Sequence, residues 1–307
     1  QWYYLKTHKL LKMRLLYSRL TALLSFILFL SFGGFTTAQT IVIPDTLKGW
    51  EDNWVVNLNG AQASFDNWSE GGVNTISGTF STNYSKIYRG DLFAFGIRIN
   101  GRYGQARLND DTRKSDDLLT IRTRSTFGFS DRTRLSAYGT VMLRTQFRDG
   151  FEYNAKRNPA GADSLISGFF APAYLTEGVG ISFNAEKSFQ MEAGLGLKQT
   201  IILREDLAPN YGLKQGDNYR FEGGLTTGIT FQKEVVKNVQ YNTDIETFTN
   251  LLHPINETDV YWTNEFIGKI NSTLRTSLQF ELRYDHDFST DIQLKQVLSA
   301  GVSMDLF

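Results

Sequence analysis

Five arginines fall on one parity of alternating segments: Arg98, Arg102, Arg122, Arg124 and Arg144. Later in the chain, acids hold comparable positions, at Glu222, Glu246, Glu265, Glu281 and Asp285. Opposed basic and acidic walls around a polar interior can select ions or orient dipolar solutes. The same groups can pair and hold a closed, hydrated interior together. Both readings stand at this level. Catalytic candidates are sparse. Beyond residue 38 the histidines are His253 and His286. Lipid hydrolysis by a Ser/His/Asn set would need a His on a strand beside a Ser, and both fall in expected connections. The oxygen-rich string Asn109, Asp110, Asp111, Asp116 and Asp117 has ligands that suit Ca²⁺. Its spacing is not that of an EF-hand, and a solvated acidic loop is the competing reading. There is no Cys, which excludes disulfides, thiolate metal sites and a cysteine nucleophile. No glycine string cradles phosphate, and no cofactor is expected.

The elements that position these residues must be strands. From Phe93, the apolar parity Phe93, Phe95, Ile97, Ile99 alternates with Ala94, Gly96, Arg98, Asn100. The same split recurs at Leu119–Phe129, Leu135–Leu143 and Leu278–Tyr284. Period two means strand, because a helix needs a 3.6 period. About twelve strands are expected, near 53–64, 73–86, 91–104, 118–130, 133–147, 167–184, 188–203, 219–233, 236–249, 259–271, 275–285 and 293–307. Ordinary strands run about 5–6 residues, whereas a tilted strand needs about 9–11 to cross a membrane. Long strands, even in number, with one apolar and one polar parity describe an all-β transmembrane antiparallel barrel of the outer membrane. A soluble sandwich would show the same alternation but not the length. If both termini are periplasmic, the expected periplasmic connections are short. The expected external ones are longer, at 65–72, 104–117, 148–166, 204–218, 250–258 and 286–292. Trp54, Trp262, Tyr84 and Tyr103 fall near strand ends, where an interfacial girdle would sit.

The chain has 307 residues, 14% aromatic, with no net formal charge. Such aromatic content excludes a disordered chain, and neutral charge excludes a nucleic-acid footprint. Residues 1–38 carry Lys6, Lys9, Lys12, Arg14 and Arg19 and no acid. An apolar run from Leu20 to Phe32 and the exit Thr36-Thr37-Ala38 follow. This is the pattern of a cleaved secretory signal peptide with Met13 as its start; the run is too short to span a bilayer. Residues 39–52 are expected as a periplasmic lead-in and 53–307 as the barrel.

Several strings resemble a known family: Asn67-Trp68 with Gly71-Gly72; Lys114, Asp116 and Asp117; Arg144-Thr145-Gln146-Phe147 with Gly150 and Tyr153; Ser167, Phe169 and Ala171-Pro172-Ala173-Tyr174. In this order they are similar to an outer-membrane barrel family of Bacteroidetes catalogued as a domain of unknown function. The resemblance implies an outer-membrane location and brings no activity. The strings fall at external ends. Trp68, Gly71, Gly72, Gln146, Tyr153 and Pro172 are therefore candidates for a shared external site, or for packing that closes the barrel top. Pro172 is expected to bend the sixth strand.

The leading expectation is a non-enzymatic pore or binding barrel for a small polar solute. Arg98, Arg102, Arg122, Arg124, Arg144, Glu222 and Glu281 would line its lumen. The alternatives are an accessory barrel whose external loops contact other outer-membrane proteins, and a lipid-modifying enzyme. Outer-membrane lipid is the expected surroundings.

Overall fold

A computed structural model describes residues 41–63, 75–109, 111–130, 133–153, 163–185 and 188–306. Twelve strands form one closed antiparallel barrel. They are β1 (Gly49–Ala63), β2 (Thr75–Arg89), β3 (Phe93–Leu108), β4 (Asp111–Gly128), β5 (Leu135–Thr145), β8 (Ala173–Ala185), β9 (Phe189–Ile201), β10 (Tyr219–Val236), β11 (Val239–Asn250), β12 (Asp259–Lys269), β13 (Leu274–Asp285) and β14 (Ser289–Asp305). Two short strands, β6 (Gly150–Glu152) and β7 (Ser164–Ser167), make a separate hairpin between β5 and β8. Each barrel strand pairs with its neighbour around the ring, and β1 closes on β14 through Val55–Asn59 against Asp305–Gly301.

The alternation expected from sequence is the one that builds the wall. On β9, Gln190, Glu192, Lys198 and Thr200 face the lumen, while Met191, Leu195 and Leu197 face out. Outward Leu58, Val179, Leu195 and Leu294 are 57–63% exposed. Buried positions inside the barrel are mostly polar: Asn57, Ser81, Arg124, Thr200, Glu265 and Gln279 among them. A protein inside out in this sense places its apolar exterior in hydrocarbon. Aromatic pairs mark the belt's edge, with Trp54 against Tyr84 at 6.4 Å and Trp50 against Tyr88 at 5.0 Å. This is a membrane-spanning barrel of the outer-membrane kind.

One end of the barrel carries short turns, such as Lys237-Asn238, where Asn238 takes the left-handed φ of 65°. The other carries the long connections, including 146–172 and a 3-10 helix at Glu205–Tyr211. Two connections expected to be long are tight turns instead. β3 and β4 meet at Asn109, whose φ of 51° closes the hairpin. β13 and β14 are joined through 286–288. Beside both turns, at Asp111 to Ser115 and at Ser289 to Asp291, polar residues fall on both parities, so period two vanishes from the sequence although the ladder continues. Pro172 does not interrupt the sixth barrel strand, which begins at Ala173. A proline just before a strand costs no ladder bond.

Candidate functional site

The arginine parity points into the lumen and meets the acids there. Arg122, on β4, donates from Nη1 and Nη2 to the two carboxylate oxygens of Glu246, on β11, at 2.6 and 3.0 Å. Four strands lie between β4 and β11 in the ring, so this fork crosses the interior. Arg124 reaches Glu192 on β9 at 2.6 Å and lies 4.7 Å from the Tyr138 ring centroid. Arg144 on β5 lies 3.7 Å from Glu281 on β13, the strand diametrically opposite. Arg102 holds Asp116 at 2.5 Å, and Lys295 takes the other oxygen at 3.1 Å. Arg98 is the cross-strand neighbour of Arg122 in the same layer. The two walls are therefore joined across the lumen. Bidentate pairing in a desolvated interior is the geometry in which ion pairs resist separation.

Above this layer, toward the loop end, a cavity of about 340 Å³ opens. Its walls include Tyr138, Tyr174, Tyr261 and Phe248, and its charged groups include Lys198 and Asp285. Lys198 Nζ sits 2.5 Å from Asp259, 3.5 Å from Asp285 and 3.9 Å from Asp287. The rings of Tyr174 and Phe248 each lie 5.9 Å from that ammonium. Tyr261 donates to Asp285 at 2.8 Å. Glu222 belongs to the rim, where Arg220 bridges it at 3.0 Å and Asp287 at 2.5 Å. Phe248 is seated close on the sheet beside Gly224, where a Cβ would stand 2.8 Å from Phe248 Cζ. Glycine there lets the phenylalanine lie against the sheet.

The roof comes from the loops. Ala171, Ile202, Leu207, Ala208, Tyr211 and Leu213 form a small buried cluster. Tyr211 donates to the Ile166 carbonyl at 2.9 Å and packs on Phe288 with centroids 5.5 Å apart. Burial pushes the Tyr211 hydroxyl well above the usual phenol range. Burial also raises the Asp287 carboxyl, against the opposing pull of Arg220.

The strings that carried the family resemblance converge beside this roof. Lys114 Nζ donates to Asp117 at 3.1 Å, to Gln146 Oε1 at 3.0 Å and to the Arg148 carbonyl at 2.8 Å. Asp117 accepts the main-chain N–H of Phe147 and Arg148 at 2.8 and 2.9 Å. Ser167 donates to Gln146 at 3.1 Å, and the Tyr153 hydroxyl accepts the Lys114 N–H at 3.2 Å. Thr145 donates to the Pro172 carbonyl at 3.1 Å. These bonds tie the β6–β7 hairpin to β4 and β5. Trp68, Gly71 and Gly72 lie outside the described residues.

The described acids of the oxygen-rich string pair with cationic side chains. Asp116 and Asp117 are strand residues engaged by Arg102, Lys295 and Lys114, and Asp111 lies 3.6 Å from Arg113. Asp110 lies outside the described residues, among which no group of three or more His, Asp or Glu is placed to hold a metal. His253 and His286 both face Glu257, at 2.9 and 3.7 Å. Glu192, Lys198, Asp259 and Lys295 were not singled out in the sequence. Their parity, shared with buried neighbours such as Gln190 and Thr200, was the available signal.

Residues 61–151 match the family described as Protein of unknown function (DUF3078). A search of curated proteins gave no significant match. Among solved structures, the translocator domain of autotransporter NalP from Neisseria meningitidis is 10% identical, with 84% of this chain and 89% of that one covered and a TM-score of 0.36. An outer membrane channel from Pseudomonas putida F1 is 7% identical, covering 86% and 99%, with a TM-score of 0.38. The P. putida toluene transporter TodX is 9% identical, covering 89% and 96%, with a TM-score of 0.32.

Proposed function

We propose that this protein is a non-enzymatic binding barrel of the outer membrane that takes a small polar solute from the loop end. The observation that carries this reading is the cavity of about 340 Å³ seated on a floor of cross-lumen ion pairs. A cavity of that size suits a small ligand. Tyr174, Tyr261 and Phe248 supply apolar faces, and Arg144, Lys198 and Asp285 supply the polar contacts. The floor sets the behaviour as a conduit. Passage requires parting Arg122 from Glu246 and Arg124 from Glu192, so the resting barrel is closed to ions.

Planar-bilayer conductance of the refolded protein tests this. The expected result is a silent barrel that acquires open steps when Glu246 and Glu192 are both replaced by Ala. Large stable steps from the unaltered protein would mean an open pore instead. Silence from both proteins, with no solute binding in a calorimetric screen, would remove the reading.

A second reading is an accessory barrel whose loop end contacts another outer-membrane protein. It is supported by the hydrogen-bonded anchoring of the 146–172 connection and by Phe169, which is 53% exposed there. Loss of a co-purifying partner on replacing Phe169 by Ser would favour it. The lipid-modifying reading is the weakest, because the shared neighbour of both imidazoles is Glu257; a lipid-hydrolysis assay with both histidines replaced tests it.

A further inference from the structure

We propose that the turn-end mouth of the barrel is a peptide socket, and that residues 41–45 of this same chain are its resident ligand. The lumen is polar along most of its length, but at this mouth the inward positions change character. Ile87 on β2 and Gly96 on β3 are register partners, and Ala94 lies one inward step nearer the end. Together they make an apolar patch with a hole in it.

Ile41 fills that hole. A Cβ added to Gly96 would stand 2.8 Å from Ile41 Cγ2, 3.2 Å from Ile87 Cγ2 and 3.6 Å from Ile43 Cδ1. No side chain larger than hydrogen coexists with Ile41 there without displacement. Ile41 is 1% exposed and Ala94 2%, the burial of core residues rather than of a loose leader. Spacing explains why both isoleucines reach the patch: in extended chain, residues two apart share a face.

Polar contacts fix the register. Arg89, the last residue of β2, donates from Nη1 to the Ile43 carbonyl at 3.5 Å, and its Nη2 pairs with Asp45. The Leu47 N–H then bonds the Pro44 carbonyl at 3.2 Å, turning the chain toward β1. The recognised chemistry is an extended segment with two β-branched apolar residues two apart, followed two residues later by a carboxylate. While the segment is seated, it covers the β2–β3 side of this mouth. This inference does not depend on what the cavity binds.

The Cys-free chain makes the test clean. A single Ala94→Cys probe lies two residues from Gly96, in the buried patch that Ile41 fills. In the refolded full chain, a membrane-impermeant maleimide is expected to label it slowly. Adding Ile41→Asp and Ile43→Asp is expected to speed labelling at least tenfold, with heat-dependent gel mobility confirming that the barrel formed. Equal rates with and without the aspartates would overturn the proposal. A second measurement needs no probe at Ala94. Ile41→Cys with Gly96→Cys places two Cβ atoms within disulfide reach and is expected to cross-link on mild oxidation, whereas Val42→Cys with Gly96→Cys, carrying Ile41→Ala to make room for the new side chain, is not. Equal cross-linking of the two pairs would mean that the segment is not seated in this register.

Discussion

Arg122 and Glu246 form a two-pronged bridge, 2.6 and 3.0 Å, between strands that are not neighbours anywhere in the sheet. The bridge makes the lumen a bonded interior rather than a lined tube. Its removal has a direction. Glu246→Ala leaves a buried guanidinium without its carboxylate and is expected to cost about 3–5 kcal/mol. Replacing Arg122 by Met as well should recover most of that loss, because an apolar filling carries no desolvation penalty. Urea titration of the folded band on a semi-native gel measures both. A single variant as stable as the native barrel would mean that the bridge contributes nothing.

Asp117 is the hub of the loop-end network, since it receives two main-chain N–H groups and Lys114. Asp117→Ala orphans both N–H groups and removes one of the three acceptors of Lys114, and should release the β6–β7 connection while leaving the barrel closed. Limited trypsin digestion at Arg148 should accelerate roughly tenfold, the equivalent of about one charged hydrogen bond. Unchanged cleavage kinetics would show that other contacts hold the hairpin.

One component of the pH response comes from Asp287, in the β13–β14 turn, whose carboxyl burial raises above its ordinary value. A raised carboxyl means that the folded state holds the proton more tightly than the unfolded chain does. This group therefore favours the fold more as pH falls from neutral through its folded pKa, and the benefit levels off below the ordinary carboxylate value. Asp287→Asn removes that dependence. Between pH 7 and pH 4 the native barrel should gain stability relative to the Asn variant. Parallel stability curves over that interval would show that the Arg220 contact fully offsets the burial.

The wall of this protein was legible because a membrane barrel writes its two environments into alternate residues. Leu135, Ala137, Gly139 and Val141 against Ser136, Tyr138 and Thr140 is enough to place β5. Legibility ended where the environments become alike. Thr112 to Ser115 and Ser289 to Asp291 stand on strands with polar residues on both faces, so they read as loops. The short β6 and β7 leave no periodicity at all. The lumen charges were visible one by one, but their partnerships were not. Arg122 and Glu246 are 124 residues apart, and only the closure of the ring brings them together. The strings behind the family resemblance were visible only as separate strings; Lys114 joins its own to that of Gln146, and Gln146 in turn accepts from Ser167 of the next.

Lys198 offers the sharpest examination of the cavity. Its ammonium is held by Asp259 and Asp285 and flanked by Tyr174 and Phe248, so the chain has built a cation cage and placed its own side chain in it. Lys198→Ala empties the cage and leaves two buried carboxylates facing each other, at a cost of about 3–5 kcal/mol. A small alkylammonium such as ethylammonium can then occupy the vacated volume, stack between the rings and neutralise the acids. It should restore part of the lost stability of the Ala variant and do nothing for the native barrel. Sodium chloride at the same ionic strength supplies screening alone, which reaches buried pairs poorly. If the salt rescues as well as the amine, the cage has no selectivity for organic cations, and the aromatic walls are packing rather than recognition.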